Sequence, residues 1–168
     1  MAERIDPISG LGERWRELAD DGSNMQLEDL PSFHFVRIAV QFRRRITQRA
    51  LEAAGLSYAE WRVLGLVGRY TSIPTPDVAR MSLMDKAQIS RAVETLVGKG
   101  LVRQTDDPDH ARRRILLITD AGRETLHRAL VVVRQAQARL LAVFNADERV
   151  LLGHFLERIS HWLDEIEP

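Results

Sequence analysis

Lys86, Gln88, Ser90, Arg91 and Thr95 carry, within ten residues, the donors and acceptors that read base edges and phosphates. Gln can pair with adenine and Arg with guanine, each good bidentate contact discriminating by about 1–3 kcal/mol. The same segment holds Ile89, Val93, Leu96 and Val97 at helical spacing, so one face packs and the polar set occupies the others. Gly100 stands where a helix end wants a residue tolerant of positive φ, and Lys99 suits the negative end of the dipole. Leu101 to Gln104 and Ile115 to Ile118 then read as two short strands. Between them lies a turn with Asp106, Asp107, Pro108, Asp109, His110 and the run Arg112, Arg113, Arg114. On its own the polar row is an ordinary solvated face, and three arginines simply compensate three aspartates. A basic hairpin directly after such a helix favours nucleic acid instead, with the helix in a major groove and the hairpin on the neighbouring backbone or minor groove. Alternation puts Arg112 and Arg114 on one strand face and Arg113 on the other. Arg112 is expected at the minor groove, and at least one other arginine at phosphate or a wing aspartate. His110, Arg112 and Arg113 are thus the candidate contacts from the hairpin.

The elements that must hold these residues are mostly helical. Leu11 to Leu18 is a short amphipathic piece. Pro31 and Ser32 open a long helix to about Ala54, with Phe35, Ile38, Phe42 and Ile46 on one side and Arg43, Arg44, Arg45 and Arg49 over the rest; Gly55 stops it. Ser57 and Glu60 make a capping box for a helix that turns Trp61, Leu64 and Val67 inward and ends near Tyr70. Thr75-Pro76-Asp77 supplies an N-cap, a proline at the first helical position and an early acid, opening a short helix to about Met81. With Ser82 to Met84 as the turn before Asp85, the pattern is helix-turn-helix. Beyond the hairpin, Thr119 to Gly122 start a long helix whose Leu126, Leu130, Val133, Gln137, Leu140 and Phe144 form a heptad-like seam. Asn145 and Glu148 cap a final helix with Leu152, Phe155 or Leu156, Ile159, Trp162 or Leu163, and Ile166 on one stripe. Val131, Val132, Leu141, Val150 and Leu151 lie off these stripes, and a second copy of the chain is the simplest cover.

The 168 residues carry 24 basic and 24 acidic side chains, which argues against an unspecific polycation. From Asp147 onward six acidic residues face two basic ones, so charge is segregated as expected if only one end meets phosphate. With no cysteine, disulfides, thiolate metal sites and thiol redox sensing are excluded. No apolar run approaches the ~20 residues of a membrane span, and the first residues lack a signal-peptide core, so a soluble cytoplasmic protein is expected. No nucleophile has a base and an orienter, and no glycine loop cradles phosphate; an enzyme and a cofactor are not expected. His154, Glu157 and His161, at i, i+3 and i+7, share a helix face, but such spacing is common by chance and no metal is expected there.

LSYAEWRVL, DKAQISRAVETLVGKGLVRQ and RRRILLITDAGR, in this order and spacing, resemble the MarR family of bacterial transcriptional regulators over roughly 33–166. The fold class read here is mainly α with a small β-hairpin wing: a winged helix-turn-helix with N- and C-terminal dimerisation helices. Residues 1–32 are an extension, possessing a short extra helix; 33–54 the first dimerisation helix; 55–120 the winged DNA-binding lobe; and 121–168 the C-terminal dimerisation helices. The resemblance implies a homodimer on a pseudo-palindromic double-stranded operator, acting as a repressor released by a small aromatic or phenolic anion. Ser90 and Arg91 match the family's common Ser-Arg pair. The family often pairs a wing acid with an arginine two residues later; Arg112 matches that arginine, but His110 holds the acidic position, with Asp109 one residue before. Either the brace is shifted by one or His110 contacts DNA. Family ligands bind in a cleft that implies Phe33, His34, Arg37, Tyr58, Trp61 and Arg62 here. An aromatic wall with a cation suits an anion; equally, the rings are core and the arginines surface or ion-paired. GERWREL resembles the extra helix of a urate-responsive subgroup, but that subgroup has an acid near the position of Arg62, so urate is not adopted. Effector-independent control, by abundance or a protein partner, stays open, as does a helical metal-binding protein or enzyme.

Overall fold

The computed structural model describes residues 8–82, 84–108 and 110–166, leaving the side chains of 46, 49, 50, 111 and 112 outside the description. The chain divides into two compact units, Met1–Thr47 and Gln48–Pro168.

In the first unit, α1 (Leu11–Arg16) is followed by a 3-10 turn (Leu27–Asp29), α2 (Pro31–Phe42) and a π-helical turn (Arg43–Thr47). The uninterrupted helix expected from Pro31 to Ala54 therefore carries a π turn at its three arginines, a change of pitch that the 3.6-residue apolar spacing does not reveal. Asp29 organises the unit. Its carboxylate accepts from the Gln26 N–H and pairs with Arg14, while its carbonyl accepts from Trp15 Nε1 at 2.6 Å. The Gln26 N–H first and Arg14 second hold this carboxyl below the usual carboxylate range. That contribution to stability is present above the ordinary carboxylate pKa and lost as pH falls through the depressed one.

The second unit begins with α3 (Gln48–Glu52), α4 (Tyr58–Tyr70), β1 (Ser72–Pro74), α5 (Thr75–Ser82) and α6 (Lys86–Gly98). It continues with β2 (Val102–Asp107), β3 (His110–Ile118), α7 (Asp120–Leu141) and α8 (Ala146–Glu165). The capping boxes read at Ser57/Glu60 and Asn145/Glu148 both form. Gly55 and Gly100 take φ of +67° and +68°, as the stops require. The core joins Leu51, Val63, Leu64 and Val67 to Val78, Ile89, Leu96, Val102, Leu116 and Ala129.

Three local expectations are corrected. The sheet is three-stranded, in the order β1-β3-β2, all antiparallel, rather than a two-stranded hairpin. Ser72–Pro74 is too short to show alternation and is a strand because β3 supplies its partners. The hairpin strands are also longer than expected: Asp106 and Asp107 lie in β2 and the arginines in β3. Thr75 is the first residue of α5 rather than its cap, its hydroxyl donating to the Arg114 carbonyl at 3.2 Å.

The inner face of α7 is made of small residues, Gly122, Thr125 and Ala129. The larger seam read from Leu126 to Phe144 is only half-buried in the single chain. No residue of α8 is buried.

Candidate nucleic-acid interface

Asp85 caps α6, its carboxylate accepting from the Gln88 N–H at 2.8 Å. Ile89, Ala92, Val93 and Leu96 anchor the helix in the core. Val97, expected on this packed face, is 39% exposed, and Ala92 takes the place instead. Lys86, Gln88, Ser90, Arg91 and Thr95 are all exposed, as their polar row requires. Thr95 has spent its donor, which goes to the Arg91 carbonyl at 2.8 Å, and keeps only acceptor capacity outward. Leu101 N–H reaches back to the Leu96 carbonyl at 2.9 Å and closes the helix end around Gly100.

Lys99 does not serve the end of its own helix. Its Nζ donates to the Gly55 carbonyl at 2.9 Å and lies 3.0 Å from both carboxylate oxygens of buried Glu60. Glu60 is also the capping-box acid, accepting from the Ser57 N–H at 2.7 Å. One carboxylate thus ties the start of α4 to the end of α6, a link invisible in a capping motif read alone.

β2 and β3 pair in register from Val102↔Ile118 to Asp106↔Arg114, and the ladder then slips, with Asp107 opposite His110. Arg114 is largely exposed, 3.5 Å from Asp106. Arg113 is more buried, its Nη2 donating to Asp77 of α5 at 2.9 Å. His110 is exposed, its Nδ1 3.9 Å from Asp107. The side chain of Arg112 and the whole of Asp109 lie outside the described residues, so the shifted brace does too. Thr75 and Pro76 of α5, Lys86 and Ser90 of α6, Gln104 of β2, and His110, Arg113 and Arg114 of β3 line a groove of about 910 Å³. Its rim of Lys, His and Arg around an apolar floor that includes Ile89 can seat a phosphate beside the recognition helix.

The residues proposed for a ligand are described in their own units. In the first, His34 is buried, its Nε2–H donating to the Glu28 carbonyl at 2.7 Å. Its ring meets Phe33 and Trp15 edge-on, with centroids 5.5 and 6.4 Å away. Phe33 and Arg37 line a shallow pocket of about 460 Å³ with Leu27, Leu30, Ser32 and Val36. In the second unit Tyr58 and Trp61 pack on the core. Arg62 donates to the Ser82 carbonyl at 3.0 Å, satisfying the end of α5. His154, Glu157 and His161 are exposed on α8, and among the described residues no three His, Asp or Glu gather to hold a metal. Nor, among them, is any helix long and apolar enough to cross a membrane.

A capped helix with an outward polar row, set behind a short α5 and beside a basic hairpin, is the arrangement of a winged helix-turn-helix. A family model described as the MarR family matches residues 54–113 of the chain. The chain is similar to the HTH-type regulator YdgJ of Bacillus subtilis, 27% identical over 113 residues, covering 67% of this chain and 69% of that one. It is also similar to the repressor NicR of Pseudomonas putida, 25% identical over 126 residues, covering 75% and 80%. Among solved structures, a mutant of E. coli MarR with operator DNA superimposes with a TM-score of 0.71 at 20% identity, covering 80% of this chain and 99% of that one.

Proposed function

We propose that two copies of this chain bind a pseudo-palindromic operator as a cytoplasmic repressor that a small aromatic or phenolic anion releases. The observation that carries the reading is the exposed row Lys86, Gln88, Ser90 and Arg91 on a helix anchored through Ile89, Val93 and Leu96, with the wing alongside. Each α6 enters a major groove, with half-site centres about one helical turn, ~10 bp, apart. The dimer is supported by α8, whose Phe155, Leu156, Trp162 and Leu163 are all more than half exposed. The similarity to a repressor of Pseudomonas putida supports repression. An anion acts only through its preference for a conformation that fits DNA less well.

Fluorescence anisotropy with DNA flanking the protein's own gene, against scrambled DNA of equal length across a salt series, tests the reading. A specific complex of one dimer per site is expected; equal, strongly salt-dependent binding to both duplexes refutes sequence-specific recognition. Arg91→Ala is expected to cost about 1–3 kcal/mol on the operator while leaving scrambled DNA nearly unaffected. Equal losses on both would remove Arg91 from the base contacts.

One observation favours effector-independent control instead. His34 Nε2 and Arg62 Nη2 are already engaged by backbone carbonyls, which takes one donor of each side chain away from an anion. Titrating the operator complex with salicylate and 4-hydroxybenzoate separates the readings: release supports the effector, and an unmoved isotherm with both supports control by abundance or a partner.

A further inference from the structure

We propose that Arg113 is a positioning residue that sets the wing against α5 through Asp77, rather than a contact to DNA. The assignment rests on the DNA-binding reading above and deepens it. The β2–β3 ladder keeps a single register as far as Asp106↔Arg114 and slips before its last pair, Asp107↔His110. Past the slip the strand backbone no longer dictates the direction of the tip. Arg113 sits at this slip. Its Nη2 donates to Asp77 Oδ2 at 2.9 Å, and its Nε lies 3.7 Å from Asp107 Oδ2, an ion pair too long for a hydrogen bond. Asp77 Oδ1 in turn accepts from Arg80 at 3.2 Å. Asp77, on the first helix of the helix-turn-helix, therefore carries one guanidinium on each carboxylate oxygen, and Asp107 on β2 lies beside one of them.

Burial separates Arg113 from its neighbour. Both arginines line the groove beside α6, but the Arg114 side chain is 61% exposed, whereas that of Arg113 is 34% exposed and its Nε is buried. A phosphate-binding arginine needs its fork free. Here part of the fork is engaged on Asp77, and the guanidinium bridges two carboxylates on two elements. The consequence is geometric. With α5 packed against α6, a fixed Arg113–Asp77 distance fixes the wing relative to the recognition helix, so that both engage DNA together.

The two roles predict opposite signs for one conservative change. Asp77 is an anion near the DNA face, and on electrostatics alone Asp77→Asn strengthens binding. If Arg113 positions the wing, the same change weakens operator binding. The experiment uses the full chain as wild type, Asp77→Asn, Arg113→Ala, Arg113→Lys and the Asp77→Asn/Arg113→Ala double variant. Affinity is measured for a duplex that the wild type selects from a random pool and for scrambled DNA, over a salt series, with thermal melts confirming folded protein. Each single change is expected to weaken operator binding about tenfold, with scrambled DNA and the salt slope unchanged and the double variant no weaker than either single one. Arg113→Lys is expected to fail like Arg113→Ala, because an ammonium cannot span both carboxylates. Asp77→Asn binding as well as or better than wild type overturns the assignment. So does a loss in Arg113→Ala and not in Arg113→Lys with the slope reduced by about 1, which marks a phosphate contact. Hydrogen exchange on free protein decides the point without DNA: amides of 104–107 and 113–116 are expected to exchange about tenfold faster in Asp77→Asn, with α4 unchanged. Unchanged exchange in the wing overturns the tether. A wild type that selects no sequence counts against the DNA-binding reading, and the exchange result still decides the tether.

Discussion

Gly122→Ala is expected to cost at least about 3 kcal/mol, close to the largest effect a single added methyl produces. The reason lies at the junction of wing and long helix. Thr119 caps α7, its hydroxyl accepting from the Gly122 N–H at 3.0 Å and donating to the Gly100 carbonyl at 2.7 Å. The Thr119 N–H donates to the Leu101 carbonyl at 3.2 Å. This draws the first turn of α7 onto the end of α6, and a Cβ at 122 would lie 2.0 Å from the Leu101 carbonyl oxygen and 2.9 Å from Ile118. The obstacle is backbone, already engaged by Thr119, so no rotamer change relieves it. Thermal melts followed by far-UV circular dichroism check this; for a chain of this size the loss corresponds to a Tm lower by roughly 6–12 °C. Gly153→Ala is the control, since a Cβ there meets nothing within 4 Å. Equal Tm changes in the two variants would refute the close approach.

Phe155→Asp/Trp162→Asp is expected to turn the proposed dimer into monomers and to weaken operator binding by at least about 100-fold. Each aspartate buried in an apolar interface costs several kcal/mol. A monomer also forfeits the second half-site and the effective concentration that linking two modules confers. Phe155 is 52% and Trp162 59% exposed in the single chain, so these substitutions disturb no core contact and leave helical content intact. Sedimentation velocity gives the mass, and anisotropy on the operator gives the affinity. A variant that remains a dimer with wild-type affinity would place the interface elsewhere.

Much of the scaffold was legible because its signals are local. A cap acts over three residues, as at Ser57/Glu60 and Asn145/Glu148. A helix face repeats within one turn, and a positive-φ glycine needs only its own geometry. The exposed row of α6 followed from such periodicity. Where the packing partner decides, periodicity misled: Val97 fits the apolar spacing and is exposed, while Ala92, Thr125 and Gly122 are buried because small residues let elements approach.

What residues do across long separations was decided by the tertiary structure. Arg113 and Asp77 are 36 positions apart, Lys99 and Gly55 44. Pairings at such distances depend on which elements the chain brings together, and no local spacing records them. From its sequence this protein has its winged helix-turn-helix plan, its caps and the polar row of the recognition helix. Only the fold makes Lys99 a clasp on Glu60, Arg62 a cap for α5 and Ser72–Pro74 a third strand, because each is completed by a partner that sequence neighbours cannot supply.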